Sequence, residues 1–289
     1  MLPIQILLSG VTAGSIYAIV ALGFVLIYKG TKVIHFGLGE QVTLGAYIVI
    51  IGQLYAGASF YPAIAAAIVA AGAIGLLLER LIMRPIRNQP VMVQIIATLA
   101  IGLGIREALR AFMGPSGWPF QFLLSPAPVS IAGIFFAWSN VAIVAAALAI
   151  MAALFVFFSF SRLGEAVLAA CENQVGAYLV GVPVPRVISL IWVIASALAA
   201  VAGILIAPIV TLTPEMGLIG IKGFTAAVVG GFSSLPGAVA GGFLLGVIET
   251  SAGTYISTAM KDATTFLLLV VMIVLRPHGL FGIRPVKKV

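Results

Sequence analysis

Charged side chains are scarce in this sequence. They make up 8% of the 289 residues, and only eight are acidic, whereas 62% of the chain is hydrophobic. The mean hydropathy is +1.24. Roughly a quarter of the residues of an ordinary soluble domain are charged. The composition therefore excludes a water-soluble globular protein and indicates a chain that crosses a membrane several times.

Cysteine and histidine are almost absent as well. The chain holds one cysteine, Cys171, and two histidines, His35 and His278. A single thiol excludes an intramolecular disulfide, and three residues so far apart in sequence do not suggest a metal site. The sequence also lacks the glycine-lysine loop that binds nucleotide phosphates, and it shows no Ser/His/Asp set. We therefore expect no enzymatic activity and no cofactor bound by this chain.

Long, uninterrupted apolar runs predict membrane-spanning helices. One crossing takes about 20 residues, and lipid tolerates only helices or closed barrels. The runs are too long for barrel strands. We expect an all-α polytopic membrane protein with about eight spanning helices plus broken or re-entrant helices, in a single domain over residues 1–289. The first run lacks the features of a signal peptide and is expected to be retained. The predicted spans are 4–28, 40–58, 60–81, 91–112, 139–160, 187–208, a broken pair across 223–250, and 263–276.

The net charge of +7 is interpreted as an orientation signal and not as a nucleic-acid-binding surface. Eleven of the fifteen basic residues can be placed on one side of the membrane, which the positive-inside rule makes cytoplasmic. The N-terminus and the 113–138 loop then lie outside. The broken pair must enter and leave on the same side, as a re-entrant hairpin that turns near 233–237. The basic residues placed inside are Lys29, Lys32, Arg80, Arg84, Arg87, Arg162, Arg186, Arg276, Arg284, Lys287 and Lys288.

Two interruptions of the apolar pattern are candidates for a translocation pathway. Irregular backbone at membrane depth survives only where it is packed in protein or lines a watery cavity. Breaks in both halves of a transporter are typical of inverted repeats with a site near the midplane. The two breaks share little sequence, so the repeat stays open, and glycine-mediated helix packing is the alternative interpretation. The candidate pathway residues are His35, Gly37, Gly39 and Glu40 in the first break, and Thr225, Gly230, Gly231, Ser233, Ser234 and Gly237 in the second. Glu249, in the exit limb, is expected to pair with a neighbouring helix.

A polar, amphipathic segment separates two of the predicted spans. As one helix from Gly164 to Tyr178, it would place Leu168, Cys171, Val175, Tyr178 and Leu179 on a single apolar stripe. We expect this stripe to rest on the membrane domain and the polar side to face a partner. An ordinary surface helix is the alternative. Gly181 is expected to end the helix, and the prolines that follow prevent its continuation.

Several runs, taken together, resemble one family over essentially the whole chain. The sequence is similar to the LivH-type membrane subunit of the branched-chain amino acid ABC permeases. The runs that carry the resemblance are Arg162-Leu-Gly-Glu, Ala170-Cys-Glu-Asn and Ala177-Tyr-Leu-Val-Gly-Val182; Ile34-His-Phe-Gly-Leu-Gly-Glu-Gln-Val-Thr-Leu-Gly-Ala-Tyr47; Lys222-Gly-Phe-Thr-Ala-Ala-Val-Val-Gly-Gly-Phe-Ser-Ser-Leu-Pro-Gly-Ala238; and Arg276-Pro-His-Gly-Leu-Phe-Gly282.

The resemblance implies the ABC importer transmembrane-domain fold, in the bacterial inner membrane. It also implies a sister permease subunit of LivM type, two ATPase subunits that bind ATP and Mg²⁺, and an amino-acid-binding protein outside the membrane. Residues 162–186 would form the cytoplasmic coupling loop that inserts into the ATPase. The sequence departs from the family at Glu165 and Val167, where relatives often carry Arg. The residues implied to face the ATPase are Arg162, Gly164, Glu165, Ala169, Glu172, Asn173, Ala177 and Gly181.

The transported solute and the driving force have alternatives. The same machine could carry another small polar solute, such as an amide, urea or an aromatic acid. A self-sufficient ion-coupled carrier would instead need acidic residues deep in several spans, and only Glu40 and Glu249 come near that. Whether the permease is a homodimer or a heterodimer stays open, although the resemblance favours the heterodimer.

Overall fold

The computed structural model describes residues 2–120, 128–131 and 134–282. Long helices fill most of these residues, in the positions that the apolar runs predict. A π-helical segment, Glu79–Met83, follows the third helix, and a short 3-10 helix, Pro214–Leu218, precedes the tenth. The helices are α1 (Leu2–Thr31), α2 (Leu38–Ala56), α3 (Phe60–Leu78), α4 (Arg84–Ile86), α5 (Val91–Met113), α6 (Trp138–Phe160), α7 (Arg162–Glu172), α8 (Gln174–Leu179), α9 (Val184–Ile206), α10 (Ile219–Gly230), α11 (Leu235–Tyr255) and α12 (Met260–Leu275).

The all-α class expected from the sequence is confirmed, and one short hairpin accompanies the helices. Strand β1 (Pro128–Ile131) pairs antiparallel with β2 (Ile134–Ala137), directly before α6. The hairpin lies in the predicted 113–138 loop, whose Pro-rich and Gly-rich sequence gave no strand signal. Residues 121–127 and 132–133 of this loop lie outside the described residues. Arg284, Lys287 and Lys288, three of the basic residues used to predict the orientation, also lie outside the described residues.

Six described helical segments are long and apolar enough to cross a membrane, fewer than the eight predicted. Helix α2 has only 19 residues and opens with Glu40, Gln41 and Thr43. Helix α12 has 16 residues, about 24 Å at the α-helical rise. The six segments are Pro3–Thr31, Phe60–Ile86, Val91–Met113, Trp138–Phe160, Val184–Ile206 and Leu235–Tyr255.

The predicted broken pair is present, with its break at residues 231–234. Helix α10 has 12 residues, about 18 Å, and is too short to cross alone, whereas the 21 residues of α11 suffice. The turn is earlier than predicted, because Pro236 is tolerated in the first turn of α11, where its missing N–H is not needed. That both limbs open on the same side stays a prediction.

The described chain divides into two compact units. The larger one comprises residues 26–123 and 148–220, and at its centre α2, α3 and α9 pack against one another. Glycines permit this close approach: a side chain at Gly203 would collide with the backbone carbonyl of Val42, and one at Gly45 with the backbone of Ala200. Small residues at helix crossings are typical of membrane proteins.

The other unit comprises residues 1–25, 124–147 and 221–289. Gly10 and Gly14 of α1 lie directly against the backbone of α11. Lys222 of α10 bonds to Glu249 of α11 at 2.7 Å and to Asp262 of α12 at 2.9 Å. Glu249 is buried. The expectation that Glu249 pairs with a neighbouring helix is thereby confirmed.

Candidate functional site: the coupling segment and the two helix breaks

Ser161 starts the polar segment as a helix cap. Its Oγ accepts a hydrogen bond from the N–H of Gly164 at 2.9 Å, which satisfies a free amide at the start of α7. Gly164 is required here, because a side chain would collide with the carbonyl of Phe157. The sharp turn out of α6 therefore depends on one hydroxyl and one glycine.

Asn173 breaks the segment into two helices. Its backbone is extended (φ −150°, ψ 102°), and its Oδ1 accepts from the N–H of Gly176 at 3.0 Å, so that it caps α8. At the far end Gly181 adopts φ +88°. The N–H of Gly181 bonds to the carbonyl of Tyr178, and that of Val182 to the carbonyl of Ala177, which together form a Schellman motif. The predicted stop at Gly181 is confirmed.

The structure exposes most of the residues that the family resemblance assigns to the ATPase contact. Gly164 and Ala177 are the two buried members of the set. The six exposed members are Arg162, Glu165, Ala169, Glu172, Asn173 and Gly181. Val167, one of the positions that depart from the family, is fully buried and presents no side chain to a partner.

The predicted apolar stripe is only half correct. Cys171 is 5% exposed and packs inward, but Val175, Tyr178 and Leu179 are 70%, 70% and 78% exposed. The break at Asn173 is the reason, because the stripe assumed one continuous helix. Together with Val180, the exposed side chains of Val175, Tyr178 and Leu179 form what we call the α8 apolar cluster. An exposed apolar patch of this kind is typical of a protein–protein contact.

Three contacts join the polar segment to the rest of its unit. Lys29, at the end of α1, forms an ion pair with Glu172 at 3.5 Å. The Nε2 of Gln174 donates to the carbonyl of Gly30 at 2.6 Å. Arg84 donates to the carbonyl of Pro185, just after the segment, at 3.2 Å. A displacement of α7 and α8 would therefore be transmitted to the end of α1, and a displacement of the start of α9 to Arg84.

The first helix break gathers all four of its predicted residues around the start of α2. His35 is fully buried, lies 3.1 Å from Gln41 and stacks at 4.7 Å on the ring of Trp192. Gly37 caps α2 without a side-chain bond, and the N–H of Leu38, the first residue of the helix, bonds to the carbonyl of His35 at 3.1 Å. Glu40 lies in that turn.

Glycines from two other elements close around Glu40. A side chain at Gly102 of α5 would come within 2.9 Å of the Glu40 carboxylate, and one at Gly217 within 3.1 Å. Gly39 and Gly220 meet backbone to backbone. The starts of α2 and α10 thus converge beside a carboxylate that glycines approach closely. Sequence reasoning missed Gly102, Gly217 and Gly220, which carried no signal beyond being glycines.

The second break is placed differently. Its turn packs against the C-terminal motif: the N–H of Leu280 bonds to Val229 and that of Phe281 to Gly230. Gly231 has φ +104°, and a side chain there would meet His278 and Gly282. Ser234 caps α11 through the N–H of Gly237, and Thr225 is buried and bonds to the carbonyl of Ile221. These residues belong to the compact unit that does not contain Glu40, and their place in a pathway stays a prediction.

Sequence reasoning also missed a buried ion pair at the end of α3. Arg84 bonds to both oxygens of Glu79, at 3.0 and 2.9 Å, and to Ser189 of α9 at 2.7 Å. On a regular α-helix, two residues five positions apart point about 140° away from each other, so their side chains cannot pair. The π-helical segment, in which the N–H of Arg84 bonds five residues back to the carbonyl of Glu79, brings the two side chains onto one face. The spacing Glu-x₄-Arg was therefore no helix signal.

Charged groups also meet at the end of α5. Arg110 forms ion pairs with Glu107 and with Glu215 of the 3-10 helix. The hydrogen bond from Arg110 holds the pKa of Glu215 below its ordinary value. Groups of three or more metal-ligating side chains are absent among the described residues.

Helices of this length and hydropathy, interrupted where they would otherwise cross, define a polytopic membrane transport protein. The chain belongs to the family described as "Branched-chain amino acid transport system / permease component", whose model matches residues 6–275. The family that the sequence motifs suggested is thus confirmed.

Named relatives agree over nearly full length. The high-affinity branched-chain amino acid transport system permease protein LivH of Escherichia coli is 34% identical over 306 residues, covering 99% of this chain and 97% of that protein. BraD of Pseudomonas aeruginosa, described in the same words, is 34% identical over 302 residues, covering 99% and 98%.

A solved structure shares the fold. PsaBC from Streptococcus pneumoniae in complex with Fab matches with a TM-score of 0.50 at 14% identity, covering 95% of this chain and 91% of that chain.

Proposed function

We propose that this chain is the membrane-spanning permease subunit of an ATP-binding-cassette importer for branched-chain or related amino acids. It would receive its substrate from an external binding protein and work beside a sister permease of LivM type. Two separate ATPase subunits would bind ATP and Mg²⁺ and dock on α7 and α8. This chain would itself bind no cofactor and no nucleic acid.

The observation that carries the proposal is the form of the coupling segment. Two short helices, capped by Ser161 and Asn173 and closed at Gly181, hold the α8 apolar cluster away from the body of the unit. Apolar side chains that are exposed on two well-capped helices favour the docking of a protein partner over an ordinary surface helix. The ties to Gly30 and Pro185 would pass the partner's motion into the membrane helices.

The second observation is the surroundings of Glu40. Helix N-termini carry a partial positive charge, so the convergence of the starts of α2 and α10 favours an anionic group such as an amino-acid carboxylate. Small residues and few charges suit a passage that binds weakly, since a tight site would trap the solute. Selectivity would lie in the external protein.

The membrane arrangement we infer has eight embedded segments, including α2, α12 and the broken pair, in the bacterial inner membrane. The N-terminus would be outside and α7–α8 in the cytoplasm, as the distribution of basic residues predicts.

The test is co-purification with the ATPase subunits. Leu179→Asp places a charge in the α8 apolar cluster, and burying an unpaired charge at an interface costs several kcal/mol. We expect the variant to lose the ATPases, whereas Gln89→Asp, on an exposed position outside α7 and α8, retains them.

Uptake in proteoliposomes tests the same proposal independently. Binding-protein-dependent, ATP-dependent uptake of leucine is expected with the full set of subunits only. Uptake by this chain alone without ATP would contradict the proposal and favour an ion-coupled carrier. ATP-driven uptake of an amide or urea in preference to leucine would correct the substrate class.

A further inference from the structure

A cavity of about 410 Å³ lies beside the coupling segment. Its walls come from the π-helical segment, the α4–α5 linker, α8 and the start of α9, all within one compact unit. None of the predicted pathway residues lines it. Its volume is within the range of small-molecule sites, about 300–1,000 Å³.

Two glutamine side chains give the cavity fixed hydrogen-bond acceptors. The Nε2 of Gln94 donates to the carbonyls of Arg87 and Gln89, at 3.2 and 2.8 Å. The Nε2 of Gln174 donates to Gly30. The amide orientation follows from these bonds, which leave each Oε1 as an acceptor for a positively charged donor such as an ammonium group.

The charge balance of the lining favours an anionic group as well. Glu79 and Arg84 neutralise each other in their two-bond pair. The remaining charged side chain in the wall is Arg87, which is exposed on the linker. A guanidinium is well suited to bind a carboxylate through two parallel bonds.

An apolar part of the wall is formed by Met83, Val184, Pro185, Ile188 and Trp192, and Thr31 and Asn88 complete the lining. A ligand that uses the whole cavity therefore carries an ammonium group, a carboxylate and a compact aliphatic part. A free amino acid with a branched aliphatic side chain has this chemistry.

We propose that this cavity binds a free aliphatic amino acid from the cytoplasmic side and that the bound molecule slows transport. The proposal rests on the proposed function for the sidedness of α7–α8 and for the identity of the solute. A ligand held between Gln174 of α8 and Arg87 of the linker fastens the coupling segment to the membrane helices. The motion that ATP hydrolysis must drive through this segment then requires release of the ligand. Accumulated solute would in this way limit its own uptake.

The first test is binding of isotope-labelled leucine to the purified complete transporter, without the external binding protein. Arg87→Gln removes the carboxylate partner and is expected to weaken binding at least about tenfold. Arg80→Gln makes the same charge change on an exposed residue that does not line the cavity, and should bind as the original does. Isocaproate, isoamylamine and glycine each lack one of the three ligand parts and should compete poorly.

The second test uses inside-out proteoliposomes, with the ATPase face outward and the binding protein and leucine enclosed. Leucine added outside should lower ATP hydrolysis several-fold in the original and in Arg80→Gln, but not in Arg87→Gln. Ile188→Trp fills the apolar part and provides a second insensitive variant, should Arg87→Gln assemble poorly.

Each outcome decides the proposal. Absence of leucine binding, or equal inhibition of all four proteins, would overturn it. If the enclosed binding protein did not stimulate ATP hydrolysis by the original transporter, that result would instead contradict the importer function itself. The two failures are therefore distinguishable.

Discussion

The Glu79 carboxylate is almost entirely removed from solvent, with its side chain 4% exposed, whereas that of Arg84 is 36% exposed. Removing one member of a buried pair leaves the other uncompensated and costs several kcal/mol, while replacing both by apolar groups is often tolerated. The partial exposure of Arg84 reduces the cost, because water can solvate the guanidinium that is left behind.

We expect Glu79→Gln to lower the thermal midpoint of the purified protein, with a loss of about 1–3 kcal/mol in the free energy of unfolding. The double variant Glu79→Gln, Arg84→Met should recover part of it, because no charge remains unpaired. Thermal unfolding in detergent measures both. A single variant as stable as the original would show that the ion pair contributes nothing.

Cys171 offers a reactivity prediction. Burial raises the pKa of its thiol, although Lys29 and Lys32 act in the opposite direction. Because the thiolate is the reactive form, and the side chain is inaccessible, we expect very slow alkylation by maleimide at neutral pH.

The control moves the thiol by two residues. Ala169→Cys in a Cys171→Ser background places a cysteine on the exposed side of α7. It should react quickly in the isolated chain and be protected once ATPase subunits are bound. Rapid alkylation of the native Cys171 would contradict the burial seen here.

At the scale of elements, close backbone contact between α2 and α9 stabilises the larger unit. We expect Gly203→Ala to lower the thermal midpoint strongly, because the added methyl collides with the carbonyl of Val42, which cannot rotate away. Gly104→Ala is the matched control, since open space surrounds Gly104 and alanine favours the helix by about 1 kcal/mol. Equal midpoints for the two variants would disprove the tight crossing.

Hydropathy alone predicted where most of these elements lie, because a crossing helix requires a long apolar run whatever its neighbours are. It did not predict which side of α8 faces outward. The orientation of α8 follows from the break at Asn173, whose Oδ1 accepts the capping bond from the N–H of Gly176. The periodicity argument assumed an unbroken helix. The π-helical segment was not predicted from the sequence either, because the feature that marks it is an ion pair between two residues five positions apart, which is not a helical spacing.

The candidate site was predicted unevenly for a similar reason. His35, Gly37, Gly39 and Glu40 are neighbours in sequence, and their clustering follows from one local break. Gly102 and Gly217 join them only through tertiary packing, which a single sequence without packing information does not reveal. The sequence therefore predicted the residues of one local break, but not the residues of distant elements that pack against them.

At the scale of the whole molecule, burial differs sharply between helices. The spanning window of α1 is 89% buried and that of α9 is 67%, whereas those of α5 and α6 are each 17% buried. Helices of the last kind leave most of their apolar side chains exposed, where lipid or, under the proposed function, a sister subunit would cover them.

Hydrogen exchange should report this difference. We expect the amides of α1 and α9 to exchange more slowly in detergent than those of α6, because opening them disrupts more packing. Mass spectrometry of peptic fragments measures the rates. Protection that appears on α5 or α6 when the sister permease is added would map the shared surface, whereas exchange of α6 as slow as that of α1 would contradict the burial pattern.

The π-helical segment also fixes how the chain can vary in length. The π-helical turn holds one residue more than an α-helical turn, so the helical residues on either side of it keep their faces. Losing one residue between Glu79 and Arg84 would restore regular winding and leave the two charged residues four apart, a spacing that keeps them on one face. A single deletion here should therefore preserve the ion pair and the tie to Pro185, whereas a second deletion would turn every side chain beyond it by about 100°.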